Sequence, residues 1–229
     1  MKTCQVGKND NMRIHFKIQS NGQPIPFNHQ HMLVGTIHKW LGWNSQHGKV
    51  SLFSFSWLTG GKRKNDMLHF EHGSSFFFSA FDEEIVKKMI SGIQQDPSMF
   101  DGLKVVELVI QENPDLSTVS NFQVASPILI KRRVDDRIDH ILYDNPNAGE
   151  YLKETLQTRM KQAGLVDQSL EIHFDNSSPY AKRKNLVYNN VNNICSWCPV
   201  IINAKPETKL FAWNVGLGNS TGIGLGAIR

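Results

Sequence analysis

Between Arg13 and Ile110 the apolar spacing passes from alternation to helical spacing and back, twice, and few folds accept that order. Arg13 to Ile18 alternates as a first strand, and Pro24 and Pro26 then break any regular element. Asn28 is a suitable cap for a helix in which Leu33, Ile37, Trp40 and Leu41 form one apolar stripe, with Gly42 as its stop. Val50 to Leu58 reads as a strand, and Gly60-Gly61-Lys62-Arg63-Lys64 as a basic loop that turns the chain. Met67 to Phe70 and Ser75 to Phe81 read as strands around the turn His72-Gly73. Asp82 caps a second helix, with Glu83 and Glu84 in its first turn and Ile85, Val86, Met89, Ile90 and Ile93 on its buried face. Leu103 to Ile110 is a further strand. Strand, helix, two or more strands, helix, strand is the split βαβ, or ferredoxin-like, pattern.

The second half varies the same order. Val119 to Ile130 gives extended pieces around Ser126-Pro127, and Tyr151, Leu152, Thr155, Leu156 and Met160 fit a helix ending at Gly164. Leu170 to Phe174 alternates as a strand, and Asn185 to Ile202 reads as a long hairpin. Pro206 opens a last helix with Leu210, Phe211 and Val215 inside. Gly216 ends it, and Ile223 to Ile228 reads as a final strand. The expected fold class is therefore α+β, two tandem ferredoxin-like (βαββαβ, RRM-like) domains. Residues 1–116 and 117–229 are the expected halves, joined near Asn113 to Ser117.

The composition excludes several function classes. The chain has 229 residues, 40% of them hydrophobic and 20% charged, as in an ordinary folded protein. No apolar run approaches the roughly 18–20 residues that cross a bilayer, and Met1 to Gln5 carries no apolar signal core. No membrane contact is expected. Three cysteines point to a reducing cytoplasm rather than a disulfide scaffold. Lys and Arg number 25 against 21 Asp and Glu, a mild excess of +4. The clustering says more: Lys62-Arg63-Lys64, Lys131-Arg132-Arg133 and Lys182-Arg183-Lys184 are three local runs in a chain of pI ≈ 8.9. One such run is compatible with a solvated turn; three together suit a polyanion.

The richest motif lies after the last helix. Gly216, Gly218, Gly222, Gly224 and Gly226 leave the backbone bare, so its N–H groups can approach phosphates, or so that strands can pack closely. No Gly-Lys-Ser/Thr follows, so it is not a Walker loop. The helix precedes rather than follows it, so it is not a dinucleotide fingerprint. Seven of the nine histidines precede residue 73: His15, His29, His31, His38, His47, His69 and His72. His31 and His38 share a helix face about 10 Å apart along the axis, too far for one metal ion. His47, in a polar loop two residues before Lys49, has the pKa range of a general acid or base. Cys195-Ser196-Trp197-Cys198 has half of a zinc spacing, but no second pair exists, and hairpin packing is the simpler reading. No metal site and no cofactor are expected.

Three places carry a resemblance. They are the helix entry Ile25-Pro26-Phe27-Asn28-His29-Gln30-His31-Met32-Leu33-Val34-Gly35-Thr36-Ile37-His38, the Ser126-Pro127 pair opening the second half, and the terminal glycine segment. Together they resemble the CRISPR repeat-RNA endoribonucleases of the repeat-associated (RAMP) superfamily, over nearly the whole chain. The resemblance implies metal-independent cleavage of CRISPR precursor RNA within its repeats. The ribose 2′-OH attacks the neighbouring phosphate, leaving 5′-OH and 2′,3′-cyclic phosphate ends. It also implies a catalytic histidine after the first helix, here His47, and a lysine, here Lys49. Where some relatives carry a tyrosine near the end of that helix, this chain has His38 and no tyrosine before Tyr143. His38 is then the second acid/base candidate, with His29 and His31 as further ones. RNA binding falls to the three basic runs and to Gly216, Gly218, Gly222, Gly224 and Gly226. The expected partner is CRISPR repeat RNA, with other CRISPR-associated proteins of an interference complex or a second copy in a homodimer as further partners. The alternative is a catalytically inactive subunit of the same fold that holds guide RNA. An unrelated tandem RNA-recognition protein would need an RNP1-like run, and none is present.

Overall fold

The computed structural model describes residues 12–42 and 51–229. Its first half holds β1 (Met12–Gln19), β2 (Ile25–Pro26), α1 (Gln30–Leu41), β3 (Phe53–Phe55), β4 (Lys62–Lys64), β5 (Met67–His69), β6 (Ser74–Ala80), α2 (Glu83–Gln95) and β7 (Lys104–Gln111). The main sheet is antiparallel in the order β3-β6-β1-β7. Alternation sends Ile14, Phe16 and Ile18 of β1 to one face, where Leu33, Ile37 and Trp40 of α1 and Val86 and Met89 of α2 close the core. Asp82 caps α2 as expected: its carboxylate accepts from the Glu84 amide at 2.9 Å. Gly42, at φ 63°, stops α1.

The second half holds β8 (Asn121–Phe122), β9 (Ile130–Val134), β10 (Arg137–Ile141), α3 (Ala148–Gln162), β11 (Glu171–Phe174), β12 (Lys182–Tyr188), β13 (Val191–Trp197), β14 (Val200–Asn203) and α4 (Pro206–Val215). Its sheet runs β11-β14-β8, and residues 227–229 add a short outer edge through reciprocal Gln123–Arg229 backbone bonds of 2.9 and 2.8 Å. Counting strands in chain order, both halves therefore follow second-third-first-fourth. The fold is α+β with two tandem ferredoxin-like units. The hairpins β9–β10 and β12–β13 are insertions into the second unit, and a bridge between Ile128 and Ser196 joins them at their roots.

Five local expectations are corrected. His29, not Asn28, precedes α1, and it makes no side-chain cap bond. Lys62–Lys64 is a strand rather than a loop, because the turn falls at Asn65, which tolerates a φ of 55°. Among the described residues the strand expected over Val50 to Leu58 is only Phe53–Phe55. The long hairpin begins at Lys182 and ends at Trp197; Pro199 interrupts it, and Val200–Asn203 pairs with β11 instead. The final strand over Ile223 to Ile228 is replaced by a 3-10 turn, Thr221–Ile223, since Gly224 and Gly226 adopt φ of 77° and 73°. Only the last three residues pair.

The halves meet through α4, which lies on the outer face of the first sheet. The Ser54 hydroxyl donates to the Asn214 carbonyl at 2.9 Å, and Phe81 meets Phe211 edge-on at 5.0 Å. Arg13, buried on that face of β1, donates to Ser79 Oγ and to the carbonyls of Trp213 and Ile228 at 2.7–2.9 Å. Its guanidinium stacks between the rings of Phe77 and Trp213. Burial pushes its pKa down, and no feature of the sequence marked it.

Candidate nucleic-acid interface

The glycine segment is the hub where the two units meet. Gly216 ends α4 at φ 74°, and the chain then turns through Gly218, Ser220, Gly224 and Gly226, each in the left-handed region. Leu217 and Leu225 are buried. A side chain on Gly218 would strike the Leu129 carbonyl, and one on Gly226 the Leu217 carbonyl. The amides of Leu217, Asn219, Ile223, Gly224 and Gly226 are already spent on backbone carbonyls. Close packing within the chain therefore accounts for Gly216, Gly218, Gly224 and Gly226, and within the segment only Asn219, Ser220, Gly222 and Ile223 reach the surface.

That surface stretch gathers the other elements. Gln30, the first residue of α1, donates from Nε2 to the Ile223 carbonyl at 2.8 Å. Trp57 Nε1 donates to the Gly224 carbonyl at 2.9 Å. The Lys131 amide donates to Asn219 Oδ1 at 2.7 Å. Ser51 lies against Gly222. Leu129, Leu186, Cys195 and Leu225 form a small apolar cluster beneath, with Trp57 and Ile223 on its edge. A cavity of about 430 Å³ opens beside it, lined by His29, Gln30, Trp57, Phe70, Lys184 and Leu186 among others.

The three basic runs lie on strands around this hub, and they differ in free charge. Lys62 and Lys64 share Glu71, at 3.0 and 3.8 Å, while Arg63 pairs with Asp66 at 3.0 Å and covers the Phe27 ring. Arg132 pairs with Glu154 at 2.7 Å and covers Tyr151. Among the described residues, Lys182, Arg183 and Lys184 have no acidic partner within ion-pair distance. These three residues of β12, with Lys131 and Arg133 of the neighbouring hairpin, are the uncommitted cations.

The histidines are spread more widely. His47 and Lys49 lie outside the described residues. His38 is half-buried near the end of α1, two turns beyond Gln30 and so about 12 Å along the axis from it. His29 lines the 430 Å³ cavity; its Nδ1 faces the carbonyls of Phe27 and Pro26 at 3.1 and 3.2 Å. Those acceptors place the proton on Nδ1 and leave Nε2 as the acceptor. Burial, partly offset by the two carbonyls, pushes the pKa of His29 down. His31 is exposed on α1.

Two other features take structural readings. Burial pushes the Cys195 thiol up to about 12 and the Cys198 thiol up to about 11, so both remain protonated packing groups. Among the described residues no three His, Cys, Asp or Glu side chains stand close enough to hold a metal ion. A further cavity, about 610 Å³, lies away from the hub between the facing sheets. Of the two arginines that line it, Arg13 is committed to the carbonyls and rings already described and Arg229 is exposed, and the cavity follows the seam between the units.

The residues that tie the hub together, Gln30, Trp57 and Asn219, were not singled out from sequence. Their role is to bond backbone atoms distant in the chain, and no spacing signals that. No described helix is long and apolar enough to cross a membrane.

The chain's relatives agree with this architecture. No curated protein matches it. A solved structure described as a CRISPR associated protein Cas6 superposes with a TM-score of 0.82 at 19% identity, over 96% of this chain and 99% of that one. A Cas6-related protein from Pyrococcus furiosus gives 0.82 at 20% identity, over 96% and 98%. A structure described as a RAMP protein binding different RNA substrates gives 0.79 at 18% identity, over 95% and 98%. At such identities the likeness is one of fold. The family model for the C-terminal part of CRISPR associated protein Cas6 matches residues 110–229, more than half of the sequence. The chain therefore belongs to the Cas6 family of CRISPR-associated proteins.

Proposed function

We propose that this protein cuts CRISPR precursor RNA within its repeats, without a metal ion, to release guide RNAs. The observation that carries the reading is the convergence at the glycine hub. The start of α1, the strand that follows residues 43–50, and both basic hairpins all bond to or pack on Asn219 to Gly224. RNA held by the β12 and β9 cations then runs along this hub. Family membership supports the same partner, as do two solved structures of similar fold, one described as a Cas6 product complex and one as the CRISPR endoribonuclease Cse3 bound to a 19-nucleotide RNA.

In this mechanism the 2′-OH next to the scissile phosphate loses its proton to a base and attacks phosphorus. The 5′-oxygen leaves with a proton from an acid, and a cation stabilises the charge gathered on the phosphorane. His47 and His38 are the acid/base pair and Lys49 the cation. Lys49 and His47 stand two and four residues before Ser51, which rests on Gly222. Histidine suits both proton transfers because its ordinary pKa lies near neutrality. Lys62, Arg63, Lys64, Lys131, Arg132, Arg133, Lys182, Arg183 and Lys184 are proposed to neutralise phosphates. The glycines act by shaping the hub, and only Gly222 stands where its own backbone can meet RNA. The proposed halves remain residues 1–116 and 117–229, and the proposed compartment is the cytoplasm.

The test is cleavage of the cognate repeat RNA by purified protein in excess EDTA, with analysis of product ends. The expected result is one cut bearing a 5′-OH and a 2′,3′-cyclic phosphate. Tight binding without a cut would replace the enzyme with the guide-holding subunit. A cut that disappears with EDTA would overturn the metal-free chemistry.

A further inference from the structure

A second cavity at the hub, about 300 Å³, opens between α3, Ser51 and the surface stretch of the glycine segment. Its wall consists of Ser51, Thr155, Thr158, Asn219, Ser220 and Thr221, with Arg159 behind them. Among the described residues, no carboxylate and no apolar side chain lines it. Arg159 is 2% exposed, and its guanidinium donates from Nη1 to the Val215 and Gly216 carbonyls at 2.9 and 3.1 Å, and from Nη2 to Gly218 at 2.7 Å. Those dipoles orient the charge without cancelling it, and among the described residues no carboxylate lies within ion-pair distance of Arg159. Burial lowers its pKa only to about 10, so it stays cationic at neutral pH.

The wall suits an anion. Asn219 Oδ1 is occupied by the Lys131 amide, which leaves its amino group as a donor. The Ser51, Ser220 and Thr221 hydroxyls have no hydrogen-bond partner among the described residues. Ser220 holds φ 62°, a conformation that costs a non-glycine residue energy and is typical of functional turns. The Thr155 and Thr158 hydroxyls donate to carbonyls of their own helix, as does Arg159 Nε, so the free donors are the Asn219 amino group and the Ser51, Ser220 and Thr221 hydroxyls. With a buried cation behind them that has no carboxylate partner among the described residues, they disfavour cations and give apolar groups nothing to pack on.

We infer that this pocket seats one phosphodiester of the bound RNA strand. The inference rests on the RNA reading above and adds a contact that the basic runs do not supply. Arg159 itself is too deeply built in for a clean test, so the variant is Thr158→Glu, at an exposed helix position on the pocket rim. Its control is Gln157→Glu, exposed on the same helix, outside the pocket and equal in charge. Thr158→Glu should weaken binding of single-stranded repeat RNA about tenfold, the scale of one charge-assisted contact. It should also flatten the salt dependence by about 0.7, one phosphate's share. Gln157→Glu should leave both close to wild type. Equal effects in the two variants, or none in either, would overturn the pocket while leaving the RNA reading intact. Should the wild type bind no RNA, that reading fails, and thermal melts with inorganic phosphate decide the pocket alone. A rise in wild-type Tm that Thr158→Glu abolishes would support an anion site for free phosphate; no rise would overturn it.

Discussion

The glycine segment invites two explanations, phosphate contact or internal packing, and Gly226→Ala separates them. Gly226 sits at φ 73°, where an L side chain costs about 1–2 kcal/mol. The new Cβ would also press on the Leu217 carbonyl, a backbone group that cannot swing aside. Relieving that contact disturbs two hydrogen bonds of 2.8 Å, Leu217 N–H to the Gly226 carbonyl and Gly226 N–H to the Pro127 carbonyl. At about 1 kcal/mol each, the total is about 3–4 kcal/mol. For a protein of this size that corresponds to a Tm lower by roughly 10 °C. Gly222→Ala is the contrast. Gly222 has an ordinary φ, and its nearest neighbours are the Ser51 side chain and the rim of Phe53, so the cost should stay under about 1 kcal/mol. Thermal and urea melts of both variants, with repeat-RNA affinity measured below either transition, give the answer. A Gly226→Ala protein that melts with the wild type yet loses RNA affinity would refute the packing account and return the bare backbone to the ligand.

Three further outcomes follow from the same geometry. His47→Ala should slow single-turnover cleavage by about 10²–10⁴-fold while leaving RNA affinity within about twofold, and a wild-type rate would remove His47 from the mechanism. Replacing Lys182, Arg183 and Lys184 together by alanine should flatten the salt dependence of single-strand binding by about 2, because these cations have no acidic partner among the described residues; an unchanged slope makes β12 an ordinary exposed strand. Burial raises the Asp167 pKa, but donors from Ser169, Lys205 and Thr208 outweigh it and hold the carboxyl well below the usual carboxylate range. A depressed folded pKa gives stability that is present above about pH 4 and lost as pH falls further. The Tm gap between wild type and Asp167→Asn should therefore be widest above about pH 5 and narrow below pH 4, and a gap that widens in acid would contradict this.

Much of the fold was legible because periodicity reports which face a residue buries. The stripe Leu33, Ile37, Trp40 and Leu41 identified α1, and Asp82 with its two glutamates identified the start of α2. The misread elements share one cause: local composition was asked to predict pairing. Lys62–Lys64 looks like a loop because it is fully polar, yet it is held as a strand by its ladder to β5. Val200–Asn203 looks continuous with the hairpin before it, but Pro199 redirects it to β11. The site was legible in outline only. Residue type marked the glycines, basic runs and histidines as chemistry-bearing, but could not tell an exposed glycine from one packed against a carbonyl.

By itself the sequence determined the α+β class, the repeated strand–helix order, the basic runs and the family resemblance. Each depends on neighbours within a few positions or on a short motif. Only the tertiary structure decided that four of the five glycines face protein and that Arg63 and Arg132 are paired while β12 is not. It alone brought Arg159 beneath the same loop that Gln30 and Trp57 hold from the other elements. The physical reason is that burial, ion pairing and close approach are set by contacts between residues far apart in the chain. Arg13 meets Ile228 across almost the whole sequence. No spacing rule reaches that far.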